Sequence, residues 1–256
     1  MKIKKMAKEG NKYSFEISDV TPAYVNALRR VFSSEVPTMA ISTLEIKKNT
    51  SAMYDEMLAH RLGLLALSTD LDSYNFPKED KVSAATHATM TLKVKGPKTV
   101  YASDLKSKDP KVKPVNDKTP IIKLFEGQEL ELIAYAHLGR GSEHTKWSPG
   151  LVSYYYKPKI TVNNKYPELK EYLDAYPPMI IKNDKIDEKS INKPELIDAC
   201  KDVNNDIIKV EYDNPHKDFI FTIEPWGQLS PEEIIKKGVE ELDKQLDEFG
   251  KLVKTI

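Results

Sequence analysis

Ser230-Pro231-Glu232-Glu233 near the carboxyl end constrains the fold more than any other stretch of this chain. It is a capping box. The serine hydroxyl can take the N–H of Glu233, the Glu233 carboxylate can reach back to the serine N–H, and proline at the first helical position gives up no hydrogen bond. Apolar residues then recur at Ile235, Val239, Leu242, Leu246, Phe249 and Val253, in alternating steps of four and three. That spacing predicts one helix running to about Val253 with a narrow seam of 3.5-residue period. At ~1.5 Å per residue the helix spans roughly 35 Å. A seam so narrow and long suits another long helix, and two readings stay open: it packs on the chain's own sheet, or it packs on a partner. Acid-to-lysine pairs four residues apart (Glu232 to Lys236, Glu233 to Lys237, Glu240 to Lys244, Asp247 to Lys251) are expected to solvate the outer face.

A second amphipathic helix is predicted from Thr21, whose hydroxyl can cap the free N–H groups ahead of Pro22. Tyr24, Leu28 and Val31 form its apolar stripe, widened by Ala27 and Phe32, while Asn26, Arg29 and Arg30 lie off the centre. Pro37 ends the helix, and Ala40 to Ile46 alternates as a strand does. The same alternation marks residues 12 to 18, His87 to Lys95, Glu129 to Ala136 and Asp218 to Glu224. Helices and strands mix without a regular βαβ rhythm, so the expected class is α+β. Asp70 to Ser83 and Lys106 to Pro120 are polar and proline-bearing and read as surface loops. Residues 164 to 206 form a third region in which Pro167, Pro177, Pro178 and Pro194 bracket short helical patterns.

The 39 basic and 39 acidic residues balance, which argues against a dedicated nucleic-acid binder with a basic excess. Only four of the basic residues are arginine: Arg29, Arg30, Arg61 and Arg140. Their concentration in a few short blocks points to specific bidentate contacts rather than general solvation. The single Cys200 excludes an intrachain disulfide and any multi-cysteine metal site. No long apolar run and no apolar signal core near the amino terminus occur, so the cytoplasm is the expected compartment.

Catalytic chemistry finds little support. Histidines 60, 87, 137, 144 and 216 form no H-E-x-x-H or comparable ligand pair, and His60 next to Arg61 reads as a structural hydrogen-bonding residue. Ser142 and His144 sit two apart in a glycine-bearing loop, but no orienting acid stands at a recognisable spacing. Gly139 and Gly141 read instead as places where the backbone turns tightly against a neighbour. Lys146 and Trp147 either anchor an interface or plug the chain's own domain.

Three blocks carry a family resemblance. Asn26-Ala27-Leu28-Arg29-Arg30-Val31 followed by Ser34-Glu35-Val36-Pro37-Thr38-Met39-Ala40-Ile41 closely resembles the signature of the alpha-like subunits of multisubunit DNA-directed RNA polymerases. That family includes bacterial alpha, the third-largest subunit of eukaryotic polymerase II and their archaeal counterpart. Asp55 to Leu67 resembles the family's second helix, with its D-E-x-x-x-H-R-L-G-L pattern. Gly139-Arg140-Gly141, His144 and Lys146-Trp147-Ser148-Pro149 are similar to a loop of the archaeal and eukaryotic members, in the archaeal H-x-K-W form.

The resemblance implies a discontinuous dimerisation domain (residues 1–45 and 213–256), an inserted, mainly β platform domain (46–163) and a small third region (164–212). It implies an assembly role in transcription within a nucleotidyltransferase complex, with no catalytic residue on this chain. The implied partners are subunit L as heterodimer mate, small subunits N and P, and the large catalytic subunits, with DNA met only indirectly. Leu28, Val31, Phe32, Ile235, Val239, Leu242, Leu246 and Phe249 are then expected at the dimer interface. Arg29, Arg30, Glu35, His60, Arg61, Gly139, Arg140, Gly141, His144, Lys146 and Trp147 are expected to meet the large subunits, although such polar residues can equally form internal salt bridges. Some archaeal members carry iron–sulfur clusters in the third region and eukaryotic ones hold zinc in the platform. With only Cys200 present, neither cofactor is expected here. Two rival readings are a free nucleic-acid-binding module using lysine-rich loops and a phosphate-handling enzyme built on the Gly139-Arg140-Gly141 turn.

Overall fold

The computed structural model describes residues 1–77, 82–212 and 217–254. The elements run β1 (Lys2–Glu9), β2 (Lys12–Ser18), α1 (Pro22–Ser34), β3 (Thr38–Asn49), α2 (Asp55–Gly63), β4 (His87–Lys95), β5 (Lys98–Tyr101), β6 (Lys106–Ser107), β7 (Pro120–Leu124) and β8 (Glu129–Gly139). After these come β9 (Gly150–Tyr156), β10 (Lys159–Val162), α3 (Leu169–Tyr172), β11 (Ile181–Lys182), β12 (Lys185–Ile186), α4 (Pro194–Lys201), β13 (Ile208–Glu211), β14 (Phe219–Pro225) and α5 (Pro231–Val253). This is a mixed α+β architecture, as the irregular rhythm of helix and strand patterns predicts. The chain packs as two compact units, and one four-stranded sheet has the order β1-β2-β14-β9.

One unit comprises residues 8–13, 26–152 and 223–256. Its antiparallel sheet has the order β3-β8-β4-β6. β3 pairs with β8 from Thr38 opposite Gly139 to Asn49 opposite Leu130, with register shifts after Ile41 and Ile46; β4 pairs with the other edge of β8 from His87 opposite His137 to Lys95 opposite Glu129. Alternation places Leu130, Leu132, Ala134 and Ala136 of β8 in the core beside Met90 and Leu92 of β4. Leu58 and Leu62, one turn apart on α2, join that core. α2 stops at Gly63 rather than running to Leu67, because Leu65 and Leu67 turn into the core and Leu67 bridges to Pro114.

Among the described residues, the two polar stretches read as surface loops are largely irregular, with the short β6 inside the second. They are nevertheless tied together. Asp70 accepts hydrogen bonds from Lys111 at 2.7 Å and Ser73 at 2.6 Å, which hold its carboxyl well below the usual carboxylate range. Tyr74 donates to Asp109 at 2.7 Å; burial and that carboxylate push the phenol up to about 12.

The other unit comprises residues 1–7, 14–25 and 153–222. Phe15 stacks on Phe221 at 5.0 Å, and Tyr154 meets Phe219 edge-on at 5.7 Å. β10 and β13 pair antiparallel, Lys159 opposite Glu211 through Val162 opposite Ile208, and close a separate small core. Leu169, Tyr176, Ile180, Ile197 and Ile208 fill that core around Cys200, whose thiol is pushed up by burial. Asn164 fixes the β12 strand by exchanging hydrogen bonds with the Ile186 backbone at 2.8 and 2.9 Å.

Candidate interaction surfaces

α5 begins as its sequence dictates: the Glu233 N–H donates to the Ser230 hydroxyl at 3.2 Å, and the Ser230 N–H donates to the Glu233 carboxylate at 2.8 Å. Its buried face, however, is Pro231, Ile234, Gly238 and Glu241. Gly238 is small because the Phe32 ring and Val36 lie where a Cβ would project. The seam falls on the adjacent face. Ile235 and Leu242 are half-buried, Val239 is 42% exposed, and Leu246 and Phe249 are 59% and 67% exposed. From Asp243 to Lys254 every residue is exposed.

The first-helix residues expected at the dimer interface are not exposed. Leu28, Val31 and Phe32 are buried within the chain itself, because the stripe that looked available to a partner already packs inward. Tyr24 at the start of that stripe is 40% exposed. Thr21 caps the helix through a 3.4 Å bond from the Tyr24 N–H.

The charges on α5 also pair differently from their spacing. Glu233 is committed to the cap, and Lys244 and Lys237 converge on Glu241 at 2.8 and 3.7 Å instead. Burial acts to raise the Glu241 pKa, but hydrogen bonds from Lys244 and Arg140 outweigh it and hold the carboxyl below its ordinary value.

The loop from Gly139 to Pro149 is a network of internal bonds. The Trp147 indole donates to the His137 carbonyl at 3.2 Å, and the Thr38 hydroxyl donates to the Trp147 carbonyl at 2.7 Å. Trp147 is only 7% exposed. The Lys146 ammonium lies 4.2 Å above its ring and 3.3 Å from the Ile41 carbonyl, and burial lowers the pKa of that lysine. Arg140 donates to Glu241 at 3.1 Å, sits 3.9 Å from Glu35 and stacks on Phe76 at 4.8 Å. A Cβ on Gly139 would collide with the Trp147 ring, and one on Gly141 would stand 2.6 Å from the Ser33 carbonyl. Both glycines therefore serve close packing.

This geometry leaves no anion cradle. The N–H groups of Ser142, Glu143 and His144 all point to backbone carbonyls, of Ser34 at 2.9 Å and of Arg140 at 3.0 and 3.3 Å. His144 Nδ1 accepts the Lys146 N–H at 3.1 Å, which occupies the atom a general base would use. His87 and His137 meet edge-on at 5.3 Å, and burial together with His137 lowers the His87 pKa.

The outward side of α2 is open. Met53, Met57, His60, Arg61, Leu64, Leu65 and Pro120 line a cleft of about 670 Å³. A smaller cleft of about 230 Å³ shares His60 and Leu64 and adds Ile41, Ala59, His144 and Lys146, so the structure brings the His60 helix and the loop together. Arg61 also donates twice to the Pro120 carbonyl, at 3.1 and 3.3 Å. Met57 and Leu64, which carry no interface role in the sequence expectations, are exposed apolar residues on this side. Their signal was present: Leu58 and Leu62 define the core face, and both residues fall off it. Arg29 bonds Asn26 at 3.0 Å and Arg30 is exposed.

Among the described residues no three His, Cys, Asp or Glu side chains converge to hold a metal ion; His216 lies outside the described residues. The chain offers one cysteine where an iron–sulfur cluster needs several thiolates, so the residues do not fit such a group. No helix among the described residues is long and apolar enough to cross a membrane.

Residues 42–150 match the family described as RNA polymerase Rpb3/RpoA insert domain. The chain is also similar to proteins named DNA-directed RNA polymerase subunit Rpo3. It is 36% identical to that of Methanosphaera stadtmanae, covering 96% of both chains, and 35% identical to that of Pyrococcus furiosus, covering 95% of this chain and 94% of the relative. The Pyrobaculum calidifontis protein is 37% identical, with 91% of this chain and 89% of the relative covered.

Proposed function

This chain belongs to the Rpo3 family of DNA-directed RNA polymerase subunits, and from that premise we propose that it is a non-catalytic assembly subunit of an archaeal-type enzyme, pairing through α5 with subunit L. The pair then forms the base on which small subunits N and P and the large catalytic subunits assemble. The observation that carries the reading is the α5 seam: Val239, Leu246 and Phe249 stay exposed although Ile234 and Gly238 already secure the helix to its own core. A helix that served only its own domain would turn these residues inward, since burying each is worth roughly 1.5–3 kcal/mol. In this reading Leu28, Val31 and Phe32 stiffen the interface from behind.

The clefts beside α2 and the loop that adjoins them are the surface for larger subunits. Their composition supports this: apolar Met57 and Leu64 stand beside His60 and Arg61, the mixture of anchor and polar rim found at protein interfaces. Residues 46–163 are then the inserted platform, which the match of residues 42–150 supports. Residues 1–45 and 213–256 make the dimerisation domain, and 164–212 are a cluster-free third region. Neither iron–sulfur cluster nor zinc belongs to the chain; stoichiometric iron in anaerobically purified protein would overturn that part.

Co-expression with an archaeal L-type subunit, followed by size-exclusion chromatography, tests the pairing. A single heterodimer peak is expected. A well-folded monomer that ignores the L-type subunit would end the proposal.

A further inference from the structure

We infer that Arg140 is a positioning residue that couples the α5 seam to the cleft shared by His60, His144 and Lys146, so that occupation of the first surface stiffens the second. The inference rests on the pairing reading above and adds a link between its two surfaces. Arg140 stands where three elements meet. Its terminal nitrogen holds Glu241 of α5 at 3.1 Å, its Nε lies 3.9 Å from Glu35 just after α1, and its guanidinium carbon lies 4.8 Å over the Phe76 ring. Its own carbonyl accepts the Glu143 and His144 N–H groups, so displacement of the arginine moves the segment that leads to Lys146. The Ser142 N–H ties that segment to the Ser34 carbonyl at the end of α1, and Gly141 packs so closely on Ser33 that a Cβ would not fit.

Glu241 directly precedes seam residue Leu242, at the point where α5 passes into its fully exposed second half. A partner covering the seam removes water from this turn. The ion pair between Arg140 and Glu241 then strengthens, because charges attract more in a drier surrounding. Arg140 also has capacity in reserve: its Nε is shielded from water yet makes no hydrogen bond, and closing the 3.9 Å gap to Glu35 to about 3 Å completes one. The loop therefore has a looser and a tighter arrangement, and α5 biases the choice.

Hydrogen–deuterium exchange of the full-length chain, with and without an L-type subunit, tests this at the amides from Gly141 to Lys146. In the unmodified chain, binding is expected to slow their exchange by at least about fivefold, the lower end of ordinary coupling between sites. Glu241→Gln is expected to bind the L-type subunit within about threefold of normal while the slowing falls below about twofold. Arg140→Lys keeps the charge but loses the planar fork, and gives a value between the two. It carries the test alone if Glu241→Gln fails to fold. Equal slowing in all three chains, or binding without any slowing in the unmodified chain, overturns the coupling and leaves the pairing intact. Failure of the unmodified chain to bind overturns the pairing and the coupling with it.

Discussion

The loop from Gly139 to Pro149 and the second half of α5 use their side chains in opposite ways. The loop is rich in residues that look made for a partner: an arginine, a lysine, two histidines within reach and a tryptophan. Most are spent inside the chain, with Trp147 buried, Lys146 on its ring and Arg140 on Glu241. The second half of α5 looks like an ordinary amphipathic helix, and its apolar residues are left in water. Charge and aromaticity in the loop build its frame, while along α5 an apolar seam is left exposed. Residue type alone is a poor guide to which surface faces outward.

The contrast is strongest at Trp147. Truncating it to alanine is expected to destabilise the chain by ~3–5 kcal/mol in chemical unfolding, the range for a large aromatic removed from a core. A loss under about 1 kcal/mol would mean that Trp147 does not anchor the loop to the chain's own core. Ser230→Ala should cost ~1 kcal/mol by removing the cap of α5, with far-ultraviolet circular dichroism reporting the fraying. A full loss of helix signal would show that α5 has no hold on its own core.

A smaller effect concerns pH. Because burial and His137 lower the His87 pKa below 6.5, the folded chain favours the neutral ring. Its contribution to stability is therefore complete above pH 6.5 and is lost as pH falls through the lowered folded value. Unfolding measured from pH 8 downward should be less acid-sensitive in His87→Gln than in the unmodified chain. Identical profiles would show that the ring beneath the loop anchor is not electrostatically engaged.

How much of this was legible depended on whether the cause was local. The start of α5 follows from a hydroxyl and a carboxylate three residues apart, and β4 from strict alternation between His87 and Lys95; both read directly. The first helix was equally legible as an apolar stripe. A stripe says which face avoids water, but not whether the same chain or another one covers it, and Leu28, Val31 and Phe32 proved to be covered from within. β1 was missed because lysines at 2, 4, 5 and 8 erase any alternation. The bond from Arg140 to Glu241 spans 101 residues, and no local pattern announces it. The pairing of loops by Asp70, Lys111, Tyr74 and Asp109 was hidden for the same reason.

The claim that the seam is a docking surface is tested most directly by titrating an L-type subunit calorimetrically into the unmodified chain and into the Leu246→Asp/Phe249→Asp variant. Both positions are exposed, so the variant should unfold within about 0.5 kcal/mol of the unmodified chain. It should nevertheless lose at least about 100-fold in affinity, the loss expected when two central apolar anchors become charged. Unchanged affinity in a folded variant would contradict the account.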